Sequence, residues 1–516
     1  MAAVSFQVSK KLSLKNAILI VLLLLAGVFV LKIFDITSLH AKSASYSIAL
    51  TDCYRAESFM RLAEIFELLP QSGLIIQSSK TVSNPKESVI EQATELLDEA
   101  VAEQPDSVVI LCKKIILEAE TKKNLKPDLD RLASICAAAS EKKVSVQEQK
   151  LANLVLSLYG QNQDRSGSSE FLELNTHADN LLKSILSDGW YADSALLKLY
   201  KVENQNKKYE QLFSEIQNKN WQYLFKLMMV GVIATISAIV GVVIIIYQLI
   251  IHNNESSTHA EQNDVNSLAV SQSVYKFNWQ IVTLVFLAWF FTQIFIAYIS
   301  SVLRQKGLFI SYASSLSTAI SIALIYLLSN GSALLYIYFL AFKPIGLKLT
   351  EGLSLRLKVS NCGTIALVTI GLLGWFAAMP IVLAAHLISV HCFGSSGSSN
   401  PIISIVMKAA LDNDFAAILL FYFTLGVLAA FCEESLFRGF LYGYLRGRHS
   451  SLLSNLLSSA LFSILHFDPG AALQLFCLGS IFAYLREKTG SIVPSIIAHG
   501  IWNSANFTLV LLLLGN

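Results

Sequence analysis

Residues 431–446, FCEESLFRGFLYGYLR, set Glu433, Glu434 and Arg438 inside a run that is otherwise almost wholly apolar or aromatic. Charge at membrane depth costs several kcal/mol unless it is paired or solvated in a cavity. Whether this run lies in a soluble core or in a bilayer therefore decides the fold. The rest of the chain argues for the bilayer. Of its 516 residues 54% are hydrophobic and only 15% charged, whereas about a quarter of an ordinary soluble domain is charged. The net charge is +2, with no basic, aromatic-interleaved patch of the kind nucleic acid requires, so no nucleic-acid partner is expected. Seven cysteines, Cys53, Cys112, Cys136, Cys362, Cys392, Cys432 and Cys477, are scattered without a CxxC pair or zinc-ribbon spacing.

The first apolar run, NAILIVLLLLAGVFVLKIF, follows Lys10, Lys11 and Lys15 and lacks a convincing small-residue cleavage site. It reads as a retained signal anchor, residues 1–35, with its N-terminus inside. Residues 36–220 are rich in Glu, Lys, Gln, Ala and Leu, and stretches such as ESVIEQATELLDEAVAEQPDS repeat apolar residues at three and four positions. That spacing predicts soluble helices, either a degenerate tetratricopeptide-like array or a bundle without repeat. Residues 221–350 are expected to add accessory membrane helices around a polar loop at 252–276, and residues 351–516 to form the membrane domain with the site. The fold class expected is all-α, a polytopic transmembrane helical bundle of about nine spans with an inserted soluble all-α domain. Those spans are placed at 16–34, from 221, and near 279–303, 309–329, 364–390, 415–445, 451–467, 471–486 and 491–514, with 333–342 too short to cross alone. Basic residues in 343–358, 446–451 and 486–488 fall on the inner side of this layout and only the RQK at 304–306 dissents. The reading is a multi-pass protein of a bacterial plasma membrane with residues 36–220 extracytoplasmic.

Helix geometry relates the buried polar residues. Glu434 and Arg438 are four apart, in the order that favours an ion pair. Glu433 lies about 100° around the helix and cannot share the arginine equally. His499 and Asn503, in AHGIWNSAN, are also four apart, and His466 closes LFSILH. Measured from inner ends at Arg446, Ser451 and Gly490, Glu433, His466, His499 and Asn503 all lie roughly 13 to 22 Å deep. A carboxylate, two imidazoles and an amide at one depth can converge on one hydrated pocket. A carboxylate beside an imidazole can orient and deprotonate a water, and a second imidazole with an amide can stabilise an oxyanion. The same Glu433, His466 and His499 are also potential ligands of a divalent metal such as zinc, and that alternative stays open.

The EExxxR of residues 433–438, the FxxxH of Phe462 and His466, and the HxxxN of His499 and Asn503 occur in order in hydrophobic segments. The set resembles the type II CAAX prenyl endopeptidases and bacteriocin-processing proteins, the CPBP or Abi family of intramembrane peptidases, over roughly 360–510. The resemblance implies that Glu433 and His466 activate a water, that His499 and Asn503 form the oxyanion site, and that Glu434 and Arg438 support the helix or the substrate carboxylate, with Phe462 also supporting. On the glutamate mechanism it implies no cofactor is required, although members have also been described as metalloproteases. The chain has no HExxH. The partners it implies are a membrane-embedded or lipidated protein or peptide substrate and the lipid bilayer; it says nothing of residues 36–220, whose repeat-like helices are themselves the reason to expect a protein partner there. Against the enzyme stand two other classes. One is a non-catalytic scaffold or bacteriocin-immunity-type protein, and the other a transporter, for which no inverted repeat is visible. Cys432 lies on a different helical face from Glu433 in apolar surroundings, which makes it a poor nucleophile.

Overall fold

The computed structural model describes residues 49–50, 52–66, 85–138, 144–160, 178–186, 189–255, 278–305, 314–359, 363–393, 406, 409–410 and 412–514. The expected signal anchor lies outside the described residues, as does the polar loop expected at 252–276 except for 252–255, which instead continue the helix Asn206–Glu255. Every regular element among them is helical and none is a strand. The described chain forms two compact units, one chiefly of residues 49–231 and the other chiefly of 232–393 and 412–509.

In the first unit short amphipathic helices close on one apolar core. Val108–Glu120 packs against Pro85–Glu103 and Val146–Tyr159, burying Leu97, Ile110, Ile115, Leu154 and Tyr191. The helix starts follow from their caps. Ser145 accepts from the Glu148 amide while the Glu148 carboxylate accepts from the Ser145 amide, a reciprocal capping box. Charge inside this unit is neutralised locally. The Lys113 ammonium sits 5.1 Å from each of the Tyr54 and Tyr191 rings. Lys114 contacts Asp98 at 2.8 Å, Asp128 at 3.1 Å and Glu118 at 3.7 Å. Burial, with the Asp128 charge beside it, pushes the Glu118 carboxyl up to about 7.

Within the second unit and the helix leading into it, six helices among the described residues are long and apolar enough to cross a membrane: Asn206–Ile251, Trp279–Ser300, Ser315–Ile345, Thr364–Cys392, Phe415–Arg446 and Val493–Leu512. This corrects the expected nine. The first expected span is outside the described residues. Ser451–Ile464 has 14 residues, which as a helix reach roughly 21 Å, short of about 30 Å of hydrocarbon. Ala472–Thr489 ends in Arg486, Glu487 and Lys488, which leave too little of its 18 residues apolar. The short run at 333–342 crosses together with the preceding helix. After a turn at Asn330 and Gly331 the chain re-enters helix and widens to a π segment at Ile337–Phe342.

Two close approaches set the helix spacing around the site. A methyl on Gly500 would strike the carbonyl of Gly426, and one on Gly426 would strike the Ser504 hydroxyl. The Phe415–Arg446 and Val493–Leu514 helices therefore meet at backbone distance, as small residues allow in membranes. Below them Ser451–Ile464 and Ala472–Thr489 pair along their length. Asn455 donates to the Ser480 carbonyl at 3.0 Å and Ser463 to the Ala472 carbonyl at 2.6 Å.

Candidate active site

The Phe415–Arg446 span is not a uniform α-helix. A five-residue α-helical piece, Ala430–Glu434, is flanked by π segments at Phe423–Ala429 and Ser435–Leu441. Wider turns of this kind recur at functional sites, and this piece carries both carboxylates. Glu434 is fully buried and its Oε1 accepts from Arg438 Nη1 at 2.9 Å. The same oxygen receives His499 Nδ1 at 2.8 Å. Arg438, also fully buried, donates through Nη2 to the Gly479 carbonyl at 3.1 Å. Its guanidinium carbon lies 4.2 Å from the Phe462 ring centroid and 5.3 Å from that of Phe482. A buried ion pair is costly unless its remaining hydrogen-bond capacity is met. Here the imidazole, a backbone carbonyl and two aromatic faces meet most of it, while Glu434 Oε2 and Arg438 Nε have no hydrogen-bond partner among the described residues.

Glu433 faces the other way. Its Oε2 is 3.8 Å from His499 Nε2 and 3.9 Å from His466 Nε2, while its Oε1 accepts from the Tyr326 hydroxyl at 2.8 Å. Adjacent carboxylates about 100° apart thus reach one imidazole, because they take opposite edges of the His499 ring. Phe482 stacks on that ring, with centroids 5.0 Å apart and planes 17° apart. His466 lies just past the end of Ser451–Ile464, where Phe467 takes a left-handed φ of 51° and turns the chain toward Asp468 and Pro469. Its Nδ1 is 2.7 Å from the Phe462 carbonyl. A carbonyl only accepts, so Nδ1 carries a proton, and when the ring is neutral its Nε2 presents a lone pair to Glu433.

The same logic applies to His499. Glu434 already accepts from Arg438, so His499 Nδ1 donates to it, and Nε2 can donate as well only when the ring is an imidazolium. With Glu433 ionised and the His466 ring neutral, Glu433 Oε2 and His466 Nε2 are two acceptors 3.9 Å apart, too far for a direct hydrogen bond and close enough for one water to donate to both. The Glu433 and His466 side chains are 21% and 33% exposed, whereas His499 is 4% exposed. Access is therefore from the Glu433 and His466 side. Asn503, one turn beyond His499, donates to the Leu425 carbonyl at 3.0 Å in the first π segment. No described hydrogen bond joins it to Glu433, His466 or His499.

Glu433 Oε2, His466 Nε2 and His499 Nε2 are the atoms a divalent ion would use. Bonds of about 2.1 Å in a tetrahedral shell place ligand atoms about 3.4 Å apart. The two spacings to Glu433 are 3.8 and 3.9 Å. Among the described residues no group of three or more His, Cys, Asp or Glu side chains is arranged to hold a metal ion. These spacings are wider than a closed tetrahedral shell shows, and Glu433, His466 and His499 are the residues that would hold such an ion.

Three contributors were not foreseen from the sequence: Tyr326, Phe482 and the Gly479 carbonyl. Tyr326 sits in ALIYLLSNGS, where one phenol in an apolar helix reads as an interfacial or packing residue. The only signal was a hydroxyl at mid-helix. Phe482 looks like any core aromatic, and a carbonyl leaves no mark in a sequence.

An all-helical unit with helices long and apolar enough to cross a membrane, gathering a carboxylate, two imidazoles and a buried ion pair into one cluster, defines an integral membrane protein. Residues 415–505 match the family model described as Rce1-like, type II CAAX prenyl endopeptidase Rce1-like, a family of intramembrane proteases consistent with the CPBP resemblance. The matched segment contains Glu433, Glu434, Arg438, Phe462, His466, His499 and Asn503, and excludes Tyr326. No curated protein and no solved structure matches the chain.

Proposed function

We propose that the membrane unit is an intramembrane endopeptidase that hydrolyses a peptide bond of a membrane-associated protein or peptide, with a prenylated CAAX-type C-terminus as the candidate substrate. The observation that carries this reading is the placement of Glu433 Oε2 against the Nε2 atoms of both histidines, at 3.9 and 3.8 Å. A water donating to Glu433 and His466 gives up one proton to that pair as its oxygen attacks the scissile carbonyl. His499, as an imidazolium held by Glu434, and Asn503 donate to the resulting oxyanion. When the tetrahedral species collapses, the proton passes to the leaving amine, so one water is consumed per bond cleaved. Glu434 and Arg438 hold His499 in place. On this reading water activation needs no metal. Residues 36–220, extracytoplasmic in a bacterial plasma membrane, recruit or position protein partners.

Cleavage of lipidated candidate peptides by purified full-length protein tests this directly. Wild type should cleave with and without chelator, and Glu433→Ala and His466→Ala should fold but lose cleavage. Variants that cleave like wild type would overturn the reading in favour of a non-catalytic scaffold. Loss of wild-type activity with chelator, restored by zinc, would overturn its metal-free form.

A further inference from the structure

We infer that Tyr326 is a positioning residue for Glu433 and that the site is therefore assembled in part by the Ser315–Ile345 span, outside the segment that matches the family model. The inference rests on the peptidase reading. Among the described residues the Tyr326 hydroxyl is the one hydrogen-bond donor to Glu433, at 2.8 Å to Oε1. Oε2 is the oxygen that faces His466 and His499. The two oxygens of one carboxylate thus have separate tasks. Pinning Oε1 stops rotation about the terminal torsion, which in glutamate is broad and nearly unrestricted, and keeps Oε2 aimed at the imidazoles.

The phenol can do this because its helix is anchored at both ends. At the start, Ser315 donates to Asp412 Oδ2 at 2.6 Å, and Asp412 lies two residues before Asp414, which caps the Phe415 helix. At the other end Gln293 donates to Asn330 Oδ1 at 2.8 Å, and the hydroxyls of Thr292 and Tyr336 are 2.6 Å apart. The Ser315–Ser329 and Phe415–Tyr422 helices also pack against each other. Tyr326 is thereby presented to Glu433 from a rigid element tied to the span that carries it.

A merely structural role would be an ordinary hydrogen bond between membrane helices, which moves stability and not turnover. The two roles separate in a comparison of full-length wild type, Tyr326→Phe and Glu433→Gln on one lipidated peptide, with melting measured alongside. Phenylalanine keeps the ring and removes only the donor. A positioning role predicts that kcat falls about 10- to 100-fold while KM stays within about twofold and melting stays near wild type. Unchanged kcat, or a loss confined to KM or to melting, overturns it.

Glu433→Gln separates this failure from that of the peptidase reading. An inactive Glu433→Gln with a fully active Tyr326→Phe sinks only the role of Tyr326, whereas a fully active Glu433→Gln sinks the reading beneath it. A second measurement needs no turnover. Labelling of Glu433 by an apolar carbodiimide, followed by peptide mass, should run faster in Tyr326→Phe than in wild type, because Oε1 has lost its hydrogen bond. Equal labelling rates overturn the proposal.

Discussion

His499 Nδ1 and Glu434 Oε1 are 2.8 Å apart across two helices, and the same oxygen takes Arg438 Nη1 at 2.9 Å. One buried carboxylate oxygen therefore holds both the guanidinium and the imidazole, which couples the stability of the bundle to the geometry of the site.

Glu434→Ala leaves Arg438 buried and uncompensated, a change that typically costs about 3 to 5 kcal/mol. The expected result is a large drop in melting temperature in detergent. The double replacement Glu434→Leu with Arg438→Met should recover most of that loss, since buried pairs can be exchanged for apolar residues, yet remain inactive because His499 has lost its anchor. Activity in the double variant would show that Glu434 acts on Arg438 alone.

Gly500→Val puts branched carbon where the Gly426 carbonyl lies. The helices must separate, and a displacement near 1 Å at a reacting group can cost about 10²-fold. Activity is expected to fall by at least that factor with secondary structure by circular dichroism unchanged. Gly231→Ala, with nothing near its new methyl, serves as the silent control.

Cys432 is 3% exposed and neighbours Glu433 in sequence. Cys432→Ser should cleave within about twofold of wild type, because a buried thiol without an imidazole partner is no nucleophile. A loss as deep as that of Glu433→Ala would make the thiol the reacting group and require a different mechanism.

Glu118 gives a pH dependence to the first unit. Its carboxyl holds a proton up to about 7 when folded, against 4.5 ordinarily, so between these values the folded state binds more protons than the unfolded one. Stability from this group is complete below about 4.5 and is lost as pH rises through about 7. Glu118→Gln removes the titration and should protect the 108–120 amides from hydrogen exchange more than wild type does at about pH 8, and equally at about pH 4. Protection that is no greater at the higher pH would show that Lys114 already compensates the charge.

Legibility in the sequence followed the range of the interaction. The Glu434–Arg438 pair and the shared helix of His499 and Asn503 are contacts or spacings of one turn, so they could be read from i,i+4 periodicity alone. That Glu433 and His466 stand near each other came from the resemblance and the depth of each residue, with no local signal. What could not be read is long-range or backbone in origin. Tyr326 reaches Glu433 across 107 positions, and the role of Phe482 depends on a 17° ring angle. Two expected spans, 451–467 and 471–486, are not among the six membrane-length helices of the described residues, because hydropathy alone does not mark where a helix ends. Ser451–Ile464 stops early where Phe467 turns the chain, and Arg486 to Lys488 lie inside the final turn of the next helix.

The wider turn at Phe423–Ala429 holds one residue more than an α-helix needs for the same rotation. Removing one residue there would restore ordinary pitch and leave Glu433 and Glu434 pointing nearly as they do now, whereas the same deletion in the regular helix Phe415–Tyr422 would turn the two ends of the span about 100° against each other. EExxxR, FxxxH and HxxxN would survive either deletion letter for letter. A homologue one residue shorter thus keeps its aim only if the loss falls inside the bulge, and the signatures alone do not report where it fell.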